Sequence, residues 1–301
     1  MSESRGVPVI WCPLYEVDIG QHVFPMGKYR LIKERLEAEG SLAGAKLRSP
    51  EAASEEDVLR VHAPAYWQKV LDGDFTASEE RLLEIPLSDA VREAFLLSAG
   101  GTTLAGRLAL SHGRAVHLGG GFHHAFADHG EGFCLLNDVA IAAASLVAEG
   151  VVERIAIVDL DVHHGNGTAA IFADDTGIFT FSMHHQWNYP AIKPRGDLDV
   201  GLEDGVGDGE YLALLEQHLP SVLDDHKPQL IIYLAGADPY EADQLGGLAL
   251  SLQGLRQRDE FVLRCAADRD LAVAITLAGG YAIRPSDTVE IHCGTVRAAL
   301  V

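Results

Sequence analysis

The sequence predicts a three-layer α/β/α fold with a mainly parallel central sheet, read as one domain over residues 1–301. Three observations carry this reading. From about Arg114 onward, short apolar runs alternate with longer segments of helical spacing, the signature of βαβ units. The apolar runs are hydrophobic throughout, as strands covered on both faces must be. Each run ends in glycine or polar residues, where open parallel sheets bind their ligands. With 48% hydrophobic and 22% charged residues, the chain can bury a sizeable core, which excludes disordered and collagen-like classes.

Taken in order, Pro8–Cys12 is a strand candidate, and Lys28–Glu39 is a helix with apolar Tyr29, Leu31, Ile32 and Leu36, closed by Gly40. Glu55–Leu71 and Asp89–Ser111 are further helices, the second weakened by Gly100-Gly101 because glycine costs a helix interior about 1 kcal/mol. Strands follow at Arg114–Leu118, Arg154–Val158, Gly177–Phe181, Leu230–Leu234 and Leu271–Leu277. Between them lie helices at Asn137–Glu149, Gly209–Asp225 and Leu252–Asp270. Asn137 suits an N-cap, Asp138 the first turn, and Gly150 the C-terminal stop.

Lys and Arg number 23 against 44 Asp and Glu, a net charge of −21. Nucleic-acid binding needs clustered cations to displace phosphate counterions, so no nucleic acid is expected as a partner. An acidic surface instead favours cationic partners. No signal-peptide pattern is seen, and no apolar run reaches the roughly 18 residues of a membrane span. Cys12, Cys134, Cys265 and Cys293 are far apart with no C-x-x-C pair. A reducing, cytoplasmic compartment without membrane contact is the expectation.

The chemistry is expected at the strand ends. Arg154–Val158 runs into Asp159-Leu160-Asp161-Val162-His163-His164-Gly165-Asn166-Gly167. If the strand stays extended, Asp159, Asp161 and His163 share one face. Two carboxylates and an imidazole leaving a buried strand together cost many kcal/mol unless a cation compensates. A catalytic zinc takes three protein ligands and leaves one position open. Asp238 is the natural third ligand, and a turn residue before Pro239 is its other reading. His123-His124 follow three glycines and read either as packed histidines or as proton-transfer groups beside a metal. Gly279-Gly280-Tyr281 likewise offers a packing tyrosine or a donor to a developing oxyanion.

The segments HLGGGFHHAFADHGEGFCLLNDVAIAA, VDLDVHHGNGTAAIF, FSMHH, LAGADPYEADQLGG and LAGGYA together resemble the successive motifs of the histone deacetylase family, within the arginase/deacetylase fold. The likeness runs from about Gly27 through Tyr281, and its look is closest to bacterial and class IV-type members. It implies zinc on Asp161, His163 and Asp238, and because two carboxylates and one imidazole are a relatively hard ligand set, Fe2+ is the alternative. It further implies catalytic roles for His123, His124 and Tyr281, with Asp159 supporting the first histidine. Gly132 and Phe133 match the wall and floor of an acyl-lysine tunnel, Tyr189 its facing wall, and Gly280 accompanies the substrate. A structural potassium ion would use Asp159, Asp161, His163, Ser182 and the Met183 carbonyl.

One departure stands out: many members carry a second Asp where this chain has Asn166. An amide orients His124 but does not stabilise its imidazolium as an anion does, so which histidine is base and which is acid stays open. The expected function is metal-dependent hydrolysis of acetyl or longer acyl groups from lysine side chains on protein or peptide. Acetylpolyamines and other small acetylated amines are the alternative substrates. A binuclear-manganese ureohydrolase and a non-catalytic acyl-lysine-binding protein are the rival classes.

Overall fold

The computed structural model describes residues 6–301. The chain begins with β1 (Pro8–Ile10), α1 (Lys28–Ala38), β2 (Lys46–Arg48), α2 (Glu55–Val58), α3 (Pro64–Asp72), α4 (Ala77–Leu83) and α5 (Asp89–His112). It continues through β3 (Arg114–His117), α6 (Asp138–Ala148), β4 (Ile155–Asp159), α7 (Asn166–Ile171), β5 (Ile178–His185) and β6 (Leu198–Leu202). The last elements are α8 (Asp208–His226), β7 (Leu230–Leu234), α9 (Leu252–Ala267), β8 (Ala272–Thr276) and α10 (Pro285–Leu300). All strand pairings are parallel, in the order β2-β1-β3-β8-β7-β4-β5-β6.

Alternate residues of the central strands divide between two cores, which makes the fold three-layered. Ala156 and Val158 of β4, Ile231 and Tyr233 of β7, and Val273 and Ile275 of β8 pack with α1, α8, α9 and α10. Ile155 and Ile157, Leu230 and Ile232, and Ala272 and Ala274 face α3, α5 and α6 on the other side. With both faces covered, every residue of β4, β7 and β8 is buried. Among the described residues no helix is long and apolar enough to cross a membrane.

Several elements differ from the sequence reading. The helix expected over Glu55–Leu71 divides into α2 and α3, because Pro64 lacks the N–H a helix interior needs and instead opens α3. Conversely α5 runs unbroken through Gly100-Gly101. A Cβ on Gly101 would lie 2.6 Å from both His117 Nε2 and Tyr15 Oη, so the glycine is there for close packing. The edge strands β2 and β6 carry exposed polar residues and lack the apolar run that marks a buried strand. β5 extends to His185, beyond the Phe181 expected. α6 matches its expectation, with the Asn137 side chain accepting the Ala140 N–H.

His62 ties the outer helices to this frame. Its Nδ1–H donates to the Phe126 carbonyl at 3.0 Å, and its Nε2 accepts the Asn137 N–H at 3.1 Å. Those partners demand the neutral ring, and burial pushes its pKa from 6.5 down to about 4. Between these two values the unfolded chain binds a proton that the native chain refuses. Stability therefore falls as pH drops from 6.5 towards 4, by up to about 1.4 kcal/mol per pH unit for this one group. The melting temperature should be lower at pH 5 than at pH 7, and the difference should shrink in His62→Gln. An equal or larger pH dependence in the variant would count against the assignment.

Candidate active site

Five neighbouring strands, β3-β8-β7-β4-β5, deliver their carboxyl ends to one place. There Gly121, His123, His124, Asp161, His163 and Tyr281 line a narrow chamber of about 20 Å³, room for a water molecule. His124, His163, Gly132, Phe133 and Tyr281 also border an outer cleft of about 540 Å³, so these five residues stand between the two spaces. Tyr189 and Trp187 stand in the outer cleft, with the Tyr189 ring nearly perpendicular to His124 at 5.0 Å. Phe133 packs 6.0 Å from Tyr281. Gly280 lies between two residues that line the chamber but is not itself among the lining residues.

The expectation of one extended run through Asp159, Asp161 and His163 needs correction. β4 stops at Asp159, and the chain then bends. Asp159 Oδ1 accepts the Asp161 N–H at 3.1 Å, and Asp161 Oδ1 accepts the His163 N–H at 3.0 Å. Each carboxylate thus turns the backbone that presents the next group. From the end of β7, Asp238 joins them, its Oδ1 accepting the Val162 N–H at 2.9 Å. Asp161, His163 and Asp238 are all buried, with donor atoms within 4.8 Å of one another.

This trio fits a divalent cation. His163 Nε2 faces the Leu245 carbonyl at 3.2 Å, an acceptor that calls for a proton on Nε2. In the neutral ring the Nδ1 lone pair then points at Asp161 Oδ1, 3.1 Å away, and Asp238 Oδ2, 3.4 Å away. Two carboxylates facing one imidazole nitrogen call for positive charge between them. Without an ion a proton on Nδ1 supplies it, burial being outweighed by Asp161 and Asp238, which lift the His163 pKa to about 10. A divalent cation would supply it in the proton's place. Asp238 Oδ2 is buried with no hydrogen-bond donor, and burial together with Asp161 raises the Asp238 pKa. Gly279 keeps the space open: a Cβ there would lie 2.0 Å from Asp238 Oδ2.

A second group, His164, His184 and Asp199, also has donor atoms within 4.8 Å. Its carboxylate is already satisfied, Asp199 Oδ1 pairing with His164 Nε2 at 3.1 Å and Oδ2 accepting the Gly196 N–H at 2.8 Å. The second group needs no ion to account for it. Ser182 lies opposite Asp159 in the β4–β5 register, followed by buried Met183. Ser182 Oγ bonds His184 Nδ1 at 3.0 Å.

The two tandem histidines have different electrostatics. His123 Nδ1 lies 2.6 Å from Asp159 Oδ2. Burial alone would depress its pKa, but Asp159, with Asp161 behind it, outweighs burial and lifts it to about 9. His124 Nδ1 bonds Asn166 Oδ1 at 2.7 Å, and burial with the charges of His123 and His163 pushes its pKa well below 6.5. The charged His123 donates from Nε2 to the neutral His124 Nε2 at 3.1 Å. Burial, reinforced by Asp238 and Asp161, raises the Tyr281 pKa well above its usual 10, so the phenol keeps its proton.

Four residues here were not singled out from sequence. Lys28, buried at the start of α1, donates from Nζ to the Ala278 carbonyl at 2.6 Å. Burial lowers its pKa to about 8, against the pull of Asp238, Asp161 and Asp243. Asp243 receives the Tyr281 N–H at 2.6 Å. Arg258, in the core, donates to the carbonyls of Leu160 at 3.2 Å and Gly236 at 2.6 Å, bridging the β4 and β7 loops. Glu131 accepts from Asn166 Nδ2 at 2.6 Å. Each charge sits among residues that read as ordinary surface, although Glu131 and Asp243 fall inside the quoted motifs.

Comparison with known proteins agrees with this geometry. Residues 22–295 match the histone deacetylase domain. The chain is 42% identical over 295 residues to an uncharacterized protein of Picosynechococcus sp., covering 98% of each. It is 30% identical to Histone deacetylase 2 of Arabidopsis thaliana over 291 residues, covering 91% of this chain and 74% of that one. It is also 30% identical to the histone deacetylase-like amidohydrolase of Pseudomonas aeruginosa over 284 residues, 88% of this chain and 73% of the relative.

Proposed function

The chain belongs to the histone deacetylase family of hydrolases, and from that premise we propose that it removes acyl groups from amines with a single divalent ion held by Asp161, His163 and Asp238. One observation carries the proposal: His163 Nδ1 and an unpartnered Asp238 oxygen converge in a chamber that also holds two histidines of opposite protonation and a phenol. Two carboxylates and one imidazole suit zinc, with iron(II) as the alternative for so hard a ligand set. Bound there, the ion supplies Lewis acidity to the amide carbonyl and lowers the pKa of water.

The residues divide the remaining work. His124 is neutral, and its Nε2, which takes the His123 Nε2–H in the substrate-free site, accepts the proton of the attacking water once that hydrogen bond is exchanged for one from the water. Charged His123, held by Asp159, supplies the proton the leaving amine needs and stabilises negative charge meanwhile. Tyr281 Oη donates to the carbonyl oxygen as charge develops on it. Gly132, Phe133 and Tyr189 border the path of the acyl-amine, and Gly280 aligns Tyr281 with it. Asp159, Asp161, His163, Ser182 and Met183 form the candidate potassium site behind.

Acyl-lysine on protein or peptide and acetylated small amines both suit this arrangement. Glu84 and Asp204 border the outer cleft, and no Lys or Arg is among its lining residues, which favours substrates that carry further positive charge. The test is kcat/KM on the purified, metal-analysed protein for a fluorogenic acetyl-lysine peptide, a long-chain acyl-lysine peptide and an acetylpolyamine. Turnover of at least one, with one divalent ion per chain, is expected. No turnover by the metal-loaded protein would overturn the reading, and two ions per chain would favour a ureohydrolase-type site. For the cationic substrate, kcat/KM should fall as salt rises, because exposed carboxylates are screened.

A further inference from the structure

His124 lacks a carboxylate partner, yet a carboxylate stands one residue further out. His124 Nδ1 bonds Asn166 Oδ1 at 2.7 Å, and Asn166 Nδ2 donates to Glu131 Oε1 at 2.6 Å. The Asn166 side chain is buried, and the Glu131 side chain is only 13% exposed. Glu131 is held by its backbone: its N–H donates to the Cys134 carbonyl at 3.1 Å, and the Cys134 N–H returns to the Glu131 carbonyl at 2.9 Å. Its second oxygen faces His129 Nε2 at 3.5 Å. Burial opposes ionisation of Glu131, but the donors around it outweigh burial and hold its carboxyl below the usual range.

The logic of donors and acceptors then runs inward. An ionised carboxylate only accepts hydrogen bonds, so Asn166 must turn its NH₂ group to Glu131 and its carbonyl to His124. A carbonyl also only accepts, so His124 must carry its proton on Nδ1. That leaves the Nε2 lone pair facing His123 Nε2, 3.1 Å away, on the side of the chamber. Were Glu131 absent, the amide could turn over and offer NH₂ to His124, which would move the proton to Nε2 and remove the acceptor.

We propose that Glu131 is a positioning residue for the reaction: acting through Asn166, it fixes the His124 tautomer and supplies at one amide's remove the negative charge that an aspartate at position 166 would supply directly. This rests on the reading of His124 as proton acceptor. Partners that orient a metal-ligating histidine are typically worth about 10–100-fold, and a comparable effect is expected for one that orients a proton-accepting histidine.

The test uses Glu131→Gln, Asn166→Asp and their combination in the metal-loaded protein. Glu131→Gln keeps the shape, removes the charge and no longer dictates the amide's orientation. It should lower kcat by about 10-fold or more with KM changed less than about twofold and metal content unchanged. Asn166→Asp alone brings two carboxylates to hydrogen-bond distance and should also lose activity. The double variant, with the anion now directly on His124, should recover most of the wild-type kcat. A purely structural role for Glu131 would not produce that recovery.

A second readout needs no substrate. Nitrogen-15 spectra of the histidines, with His124 assigned by its loss in His124→Gln, should show the Nδ1–H form in the wild type and a mixture in Glu131→Gln. Wild-type kcat in Glu131→Gln, a double variant no faster than Glu131→Gln, or an unchanged His124 tautomer would each overturn the proposal. If the wild type turns over no acyl substrate, the deacylase reading fails, and the spectra still decide whether Glu131 sets the tautomer.

Discussion

Tyr281→Phe is expected to lower kcat by about 10²–10³, the usual loss when one donor to a developing oxyanion is removed, while KM, metal content and melting temperature stay close to wild type. The separation of effects follows from where the side chain sits. Its ring packs against Phe24 and Phe133 at centroid distances of 6.0 Å, and those contacts survive in phenylalanine. Only the hydroxyl is lost, and it faces a buried chamber where a hydrogen bond to a nascent anion is worth most. Because burial and the nearby Asp238 and Asp161 keep the phenol protonated, its own ionisation should not appear in the pH profile below about 10. Steady-state kinetics with metal analysis check this, and near-wild-type turnover in Tyr281→Phe would remove the hydroxyl from the reaction.

Asp238→Asn should give the other large effect: loss of the bound ion and, with it, several kcal/mol of transition-state stabilisation, on the order of 10³-fold or more in rate. Asparagine keeps an oxygen for the Val162 N–H that Asp238 Oδ1 now accepts, so the fold should persist. Its stability should move in a telling direction. With ion at about 1,000 times Kd, the wild type gains about 4 kcal/mol by mass action, which a chelator abolishes. The variant gains little and should show no chelator-dependent shift in melting temperature. Stripped of metal, it should be at least as stable as the stripped wild type, because it no longer buries a carboxylate whose Oδ2 lacks a donor beside Asp161. Elemental analysis with thermal melts in metal and in chelator decides the matter. Full occupancy in Asp238→Asn would take Asp238 out of the ligand set.

The sheet was legible where strands are covered on both faces. β4, β7 and β8 are buried at every position and stand out as apolar runs, and the polar residues after them lie together at one end of the sheet. β2 and β6 were not legible because an edge strand needs no apolar run; β2 is exposed at all three positions. Within the site, groups that follow a strand could be found from sequence: Asp161, His163, Asp238 and Tyr281 all lie just past one. The charges that balance them could not. Lys28 opens a helix, and Arg258 sits in the charged stretch Arg256–Glu260. Both would pass for solvated side chains, and only the packing of α1 and α9 onto the sheet turns them inward. Asn166 stands out in the sequence as a departure, but its link to Glu131 spans 35 positions and is a matter of tertiary structure alone.

The guanidinium of Arg258, tied to the Leu160 and Gly236 carbonyls, has a bearing on metal exchange. The Asp161 and Asp238 loops are thus tied to each other by a strut in the protein interior. Small zinc-nucleated domains collapse around their metal and are lost to chelators. If the proposed ion binds between these loops, stripping it should leave the fold intact, in contrast to such domains, because Arg258 rather than the ion ties the two loops together.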